Sequence, residues 1–202
     1  MRGILPKRPR WATRVVWLSL VAALLSIGLF VSSASATVMK YAGLERLIEI
    51  SDTIVHAEVV SQKTYFDKEQ KRVVTDTTLG VKRAFLGDVG EKVTIQQWGG
   101  VHNGQSHFIP GDARFEAGEE VFVFLHNGDG VVALSALGQA KFSVEEIDSR
   151  KLVTRDLSDI AFLIEESGNT KIEHRPEETQ SFDSFVAELE ALIAGIKGGK
   201  NE

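Results

Sequence analysis

Hydrophobic and polar residues alternate through the middle of this chain, and that period-two spacing predicts a β-rich domain flanked by a helix at each end. Gly43 to Ile50 reads as a short helix, with Leu44, Leu47 and Ile48 at i, i+3 and i+4, and Ser51-Asp52 ends it. From Thr53 to Ser61 the spacing changes. Val55, Ala57 and Val59 share one face of a strand, while Ile54 and Val60 mix with His56 and Glu58 on the other. A polar connection, Lys63 to Arg72, leads to a second strand in which Val73, Thr75, Thr77, Leu79 and Val81 line one face. Phe85 to Gly90 forms a turn whose two glycines suit positive φ, and Lys92 to Trp98 gives a third strand.

Gly99 to Ala117 is the longest irregular stretch. Glu119 to Leu125 is then apolar on both faces after its acidic start, as strands packed on two sides are. Asn127-Gly128-Asp129-Gly130 is a hairpin turn, since Asn-Gly and Asp-Gly tolerate positive φ. Val131 to Leu134 returns, and Ala140 to Val144 follows with Ala140, Phe142 and Val144 facing inward. A further hairpin through Asp148-Ser149-Arg150 leads to Leu152-Val153-Thr154. Leu157 to Glu166 is expected as a short helix capped by Asp156 or Ser158, and Ser167 to Thr179 as a loose polar linker. Ser181 caps an amphipathic helix to Lys197, whose stripe is Phe182, Phe185, Val186, Leu189, Leu192, Ile193 and Ile196. Such a stripe packs on its own domain or on a partner. Six or seven short strands in this order argue against an alternating α/β sheet. The expected fold is a small antiparallel barrel, with a β-sandwich as the alternative.

The first 36 residues follow a different pattern. Arg2, Lys7, Arg8, Arg10 and Arg14 make a basic start, Val15 to Val31 is apolar, and Ala34-Ser35-Ala36 supplies a small-x-small cleavage site. This order marks a signal peptide over residues 1–36, and it places the rest outside the cytoplasm, periplasmic or extracellular. As a helix the 17-residue apolar run spans about 25 Å, against roughly 30 Å for a bilayer core. Its retention as an anchor is the alternative. The remaining divisions are a barrel over 37–156 and a helical C-terminal extension over 157–202, packed on the barrel or tethered to it.

Charge narrows the partners. The chain has 23 Lys+Arg and 28 Asp+Glu; the leader takes five basic residues and no acidic one, leaving 18 against 28, or −10. That balance disfavours nucleic acid and anionic lipid, so a membrane enters only through an uncleaved leader. The chain has no cysteine, which removes disulfides, thiol catalysis and cysteine-based zinc sites together. The 166 residues after the leader are enough to bury roughly 70% of the unfolded surface without staples.

Candidate chemistry is concentrated after the third strand. His102, His107 and Asp112 are two imidazoles and a carboxylate, a sufficient zinc set whose open fourth position would activate water. Their spacing is not a zinc signature, and histidines in polar loops are more often solvated. Trp98, beside Gly99-Gly100, is either an aromatic anchor for a ligand or a cap on the core. Trp98, Gly99, Gly100, His102 and His107 form the candidate ligand-binding set, and Tyr65 with Phe66 is a second aromatic pair. His56 is expected as an isolated surface or half-buried ring, His126 as exposed and His174 as part of the linker. The Glu pairs at 119–120, 145–146, 165–166 and 177–178 read as solvated edges, because adjacent strand carboxylates point to opposite faces. There is no G-x-S-x-G elbow, H-E-x-x-H helix, S-x-x-K or phosphate-binding glycine loop.

The strings DTIVHAEVVS (52–61), VVTDTTLGV (73–81), AFLGDVGEKV (84–93), the Gly99-Gly100 pair and RFEAGEEVFVFL (114–125) resemble uncharacterised exported bacterial proteins. The likeness covers residues 44 to 146. That group is similar in layout to the OB-type barrel of the tissue inhibitors of metalloproteinases and netrin-like modules, which implies an OB-like barrel here. Those inhibitors chelate zinc through an N-terminal cysteine, and this chain has none, so the resemblance implies no inhibition by that route. The expected function is a non-enzymatic exported module, without cofactor, that binds a protein or cell-envelope ligand through its loops. The alternatives are a zinc-dependent hydrolase using His102, His107 and Asp112, and a membrane-tethered accessory subunit.

Overall fold

Two fifteen-residue strands, β2 (Thr53–Asp67) and β3 (Arg72–Leu86), pair along their length as one hairpin. They belong to a computed structural model that describes residues 37–198 apart from 129, 167–168 and 176–177. The expected leader and its cleavage site therefore lie outside the described residues. Both strands extend past their predicted ends, which leaves a tight turn at 68–71 where the sequence reads as a long polar connection. The extension is held by polar cross-strand pairs: Gln62 with Thr77, Thr64 with Thr75, and Tyr65 donating to Asp76. Asp67 Oδ1 closes the turn by accepting the N–H groups of Glu69 and Gln70. Register shifts between 54/55, 56/57 and 59/61 bend the core half of the hairpin.

Around this hairpin the remaining strands assemble a mainly β fold. They are β1 (Thr37–Lys40), β4 (Lys92–Trp98), β5 (Gly100–His102), β6 (Gln105–His107), β7 (Glu120–Gly128) and β8 (Val131–Gly138). Then follow β9 (Lys141–Ile147), β10 (Arg150–Arg155), β11 (Ile160–Glu166), β12 (Asn169–His174) and β13 (Glu178–Ser181). The helices are α1 (Leu44–Ile50) and α2 (Phe182–Gly198). The large sheet has the order β13-β10-β9-β7-β2-β3-β4, with β8 joined to β7. β8 comes back to lie beside β4, but no ladder joins them among the described residues, so the sheet stays open there. A second sheet has the order β1-β11-β12, and β5 with β6 makes a small hairpin.

β7 is the centre of the core, as its two apolar faces predict. Phe122 packs on Phe182 and Phe185 of α2, while Val121, Val123 and Leu125 alternate to the opposite face and are also fully buried. The stripe of α2 packs on this same core, with Phe185 and Leu189 buried and Phe185 against Phe142. Ser181 Oγ accepts the Ser184 N–H and caps the helix.

Two expectations for the C-terminal part are corrected. Leu157 to Glu166 is not a helix. Its residues 160–166 form β11, parallel to β1 and antiparallel to β12, and Leu157, Ile160 and Phe162 pack on Met39 and Tyr41 as a separate small cluster. Its apolar run is short enough to fit either period, and the free edge of β1 decides between them. The expected linker instead supplies β12 and β13, the latter pairing with β10. The described residues from 157 to 198 are thus part sheet and part helix, and the described residues cluster as one compact unit. No helix among the described residues is long and apolar enough to cross a membrane.

Candidate functional site

The end of the β2–β3 hairpin remote from α2 faces the β5–β6 hairpin across an open cleft of about 680 Å³. Phe66 and Arg72 come from the long hairpin, Trp98 from the end of β4, and Phe108 and Ile109 from the segment after β6. Trp98 is 56% exposed, Phe66 48% and Phe108 56%, so none of these rings caps the core. Large apolar side chains grouped on an exposed concave surface are a feature of binding sites rather than of ordinary surface.

Local backbone chemistry sets this arrangement. Gly99 (φ 96°) and Gly100 (φ 123°) lie in the left-handed region that favours glycine, directly after Trp98. A side chain at Gly99 would run into the His107 carbonyl, and one at Gly100 into Thr75 and Thr64. The pair therefore lets β5–β6 fold back tightly against β3. Gly99 N–H donates to the Val73 carbonyl (2.8 Å), and Thr75 Oγ1 donates to the Gly99 carbonyl (2.7 Å).

The rim of the cleft is cationic. The Arg72 guanidinium stacks over the Trp98 ring at 4.0 Å from its centroid, with Nε donating to the Gln70 carbonyl. Arg114 lies over Phe108 at 5.4 Å, and Lys71 lines the cleft in a left-handed conformation (φ 52°). Among the described residues no Asp or Glu lines the cleft. Among the described residues no carboxylate forms an ion pair with Lys71, Arg72 or Arg114.

His102 and His107 line this cleft too, on the same face of the small hairpin, since His102 is opposite Gln105 and His107 opposite Gly100. Asp112 does not join them. It lines a separate cavity of about 330 Å³ together with Lys141, Asp156 and Asp159. Burial there raises the Asp112 carboxyl above its ordinary range, against hydrogen bonds from Gln97 and the Ala113 N–H. The expected zinc set is therefore not assembled, and among the described residues no group of three His, Asp or Glu side chains is placed to hold a metal.

Two polar constellations were invisible in the sequence. Glu120 accepts from His56 Nε2 (2.8 Å), Lys151 Nζ (2.9 Å) and Lys82 Nζ (2.9 Å), and Lys82 also pairs with Glu58. Burial alone would raise the Glu120 carboxyl, but the hydrogen bonds from Lys151, Lys82 and His56 override it and hold it at about 2. His56 is buried, stacked on Phe122 and against Phe182, and burial lowers it below its ordinary value. It is neither isolated nor superficial, and the Glu119–Glu120 pair is not a solvated edge. Glu119 is itself tied to Lys141 and Ser143.

Arg155 is the second. At 1% exposure it donates to the carbonyls of Ala42 (2.6 Å) and Gln139 (3.0 Å), with Glu178 and the Tyr41 hydroxyl both at 3.4 Å. Gln139 in turn accepts the Ala42 N–H and donates to the Lys40 carbonyl. These contacts join the two sheets through the segment between β1 and α1. His126 is half-buried and not exposed, with Nδ1 lacking a partner among the described residues. His174 lies exposed on β12. No protein-family model, curated protein or solved structure matches this chain.

Proposed function

We propose that the protein is an exported binding module without catalytic activity, which takes a protein or cell-envelope ligand in the cleft around Trp98. The observation that carries this reading is the cleft itself, which holds Phe66, Trp98 and Phe108 in the open on a glycine-shaped scaffold. Aromatic anchors of this kind supply most of the binding energy in interfaces. The titratable groups with shifted pKa are spent elsewhere. Glu120 and His56 hold one another and two lysines, Arg155 joins the sheets, and Asp112 is turned into another cavity. That distribution favours binding over acid–base chemistry, and the separation of Asp112 from the two histidines leaves the zinc hydrolase without support.

The finer fold reading supports the same site. The strand order β4-β3-β2-β7-β8, with β8 returning beside β4, supports reading this part of the sheet as a partly open five-stranded barrel of the OB type. In such barrels the loop joining the first two strands carries ligands, and its counterpart here is the 68–71 turn on the cleft. This is an analogy of layout.

The test is capture of a partner from an envelope extract by cross-linking, with wild type and a variant that combines Trp98→Ala with a Gly/Ser replacement of 102–110. The variant keeps its far-ultraviolet circular dichroism and loses the partner. Unchanged capture refutes the reading.

A further inference from the structure

Resting on the binding reading above, we infer that the cleft's occupant is an acidic peptide segment of a partner protein, with an aromatic or branched aliphatic side chain seated between Phe66, Trp98 and Phe108 and its carboxylates on Lys71 and Arg72. The charge distribution carries the inference. Residues 37–202 hold 18 basic and 28 acidic residues, an average that would put acids on most of the surface. The cleft inverts it, with cations on the rim and, among the described residues, no carboxylate in the lining. Some cations outside the cleft are matched, and Lys82, Arg83, Lys141, Lys151 and Arg155 sit in ion pairs. Lys71 and Arg72 have no such partner among the described residues, and both line the cleft beside its apolar floor.

Arg72 is prepared for a carboxylate. Its Nε is committed to the Gln70 carbonyl and its plane rests on the Trp98 ring. The side chain is thereby ordered before binding, while its outer edge remains for a bidentate acceptor. The same stacking covers one Trp98 face, which leaves less of the ring for a sugar to stack on. A nucleic acid would also meet cations and aromatics here, but its extended polyanion would have to run over residues 37–202, with a net charge of −10, beyond a cationic rim of Lys71 and Arg72. A short acidic segment meets only the rim.

The experiment selects a phage-displayed library of random short peptides on the full-length protein, with counter-selection on Trp98→Ala. The expected winners carry a net negative charge around one large apolar residue. Their affinity falls about 30-fold in Trp98→Ala, and it weakens with rising salt. The double variant Lys71→Glu, Arg72→Glu is expected to lose them and, selected on its own, to enrich basic peptides instead. Neutral or basic winners on the wild type overturn the inference, as does the absence of any Trp98-dependent winner. Tighter binding of an oligothymidylate or of soluble peptidoglycan fragments than of the winners also overturns it. In each case the binding module is judged separately, by the envelope capture.

Discussion

Arg155 shows how far a single residue's role can lie from anything its neighbours in the chain announce. Arg155 merely follows Leu152-Val153-Thr154, which reads as a strand, yet its guanidinium is buried and bonded to main-chain carbonyls more than a hundred residues away (Ala42) and sixteen away (Gln139). Arg155→Met leaves both carbonyls without their donor and is expected to cost about 3 kcal/mol in urea unfolding. Arg155→Lys recovers little of it, because an ammonium cannot reach the same acceptors as a planar fork. Glu120 makes a prediction in pH. Its carboxyl is held at about 2 in the folded protein, against an ordinary value of 4.5. A depressed folded pKa contributes stability that is present above the unfolded value and is lost as pH falls towards the folded one. Stability should therefore decline from about pH 4.5 to 2, and Glu120→Gln should flatten that limb in acid titrations followed by circular dichroism. An unchanged limb would show that other carboxylates account for it. Nothing in the spacing of His56, Lys82, Glu120 and Lys151 marks them as neighbours. They meet only because β2 pairs with both β3 and β7, β7 with β9, and β9 with β10.

Elements were legible where one face is apolar and obscure where the ladder is polar. β7, α1 and α2 follow directly from their periods, and so does the core half of β3. The outer half of the β2–β3 hairpin was not, because threonine, tyrosine and glutamine pairs hold it without a hydrophobic face. β12 and β13 escaped for a related reason: their backbone groups are recruited by edges that the local sequence does not describe. The packing of α2 gives a direct check. Phe185 is fully buried against Phe122 and Phe142, so Phe185→Ala should cost about 4 kcal/mol in equilibrium unfolding. The small hairpin gives another. Gly99→Ala sets a side chain against the His107 carbonyl at positive φ, and it should displace β5–β6 while the core stays intact. The expected readout is a changed Trp98 indole resonance and weakened partner capture with little change in the unfolding midpoint. A large loss of stability would instead make the hairpin part of the folding core.

For the whole molecule, the two hydrophobic clusters imply two levels of stability. The core around β2, β3 and β7 is large, whereas Leu157, Ile160 and Phe162 form a small cluster under the β1-β11-β12 sheet. Amides of β11 and β12 should exchange at a lower free energy than those of β2 and β7, with the Arg155 contacts as the seam between them. Equal protection throughout would mean one cooperative unit. The intact mass of the protein purified from its native host, which the proposed export expects to begin at Thr37, checks the leader. By itself the sequence determined the mainly β class, the first and last helices and the central strand, and it singled out Trp98 with the Gly99-Gly100 pair, but it missed Phe108 and took residues 157–166 for a helix. It could do so because each rests on a local period or on a conformation that only certain residues adopt. Tertiary structure alone decided which of these residues face one another. It set Trp98 with Phe66 and Arg72, sent Asp112 away from His102 and His107, and buried Arg155 between sheets. The physical reason is that contacts between distant segments depend on strand register and on which edges are free, and neither is written in the spacing of a single segment.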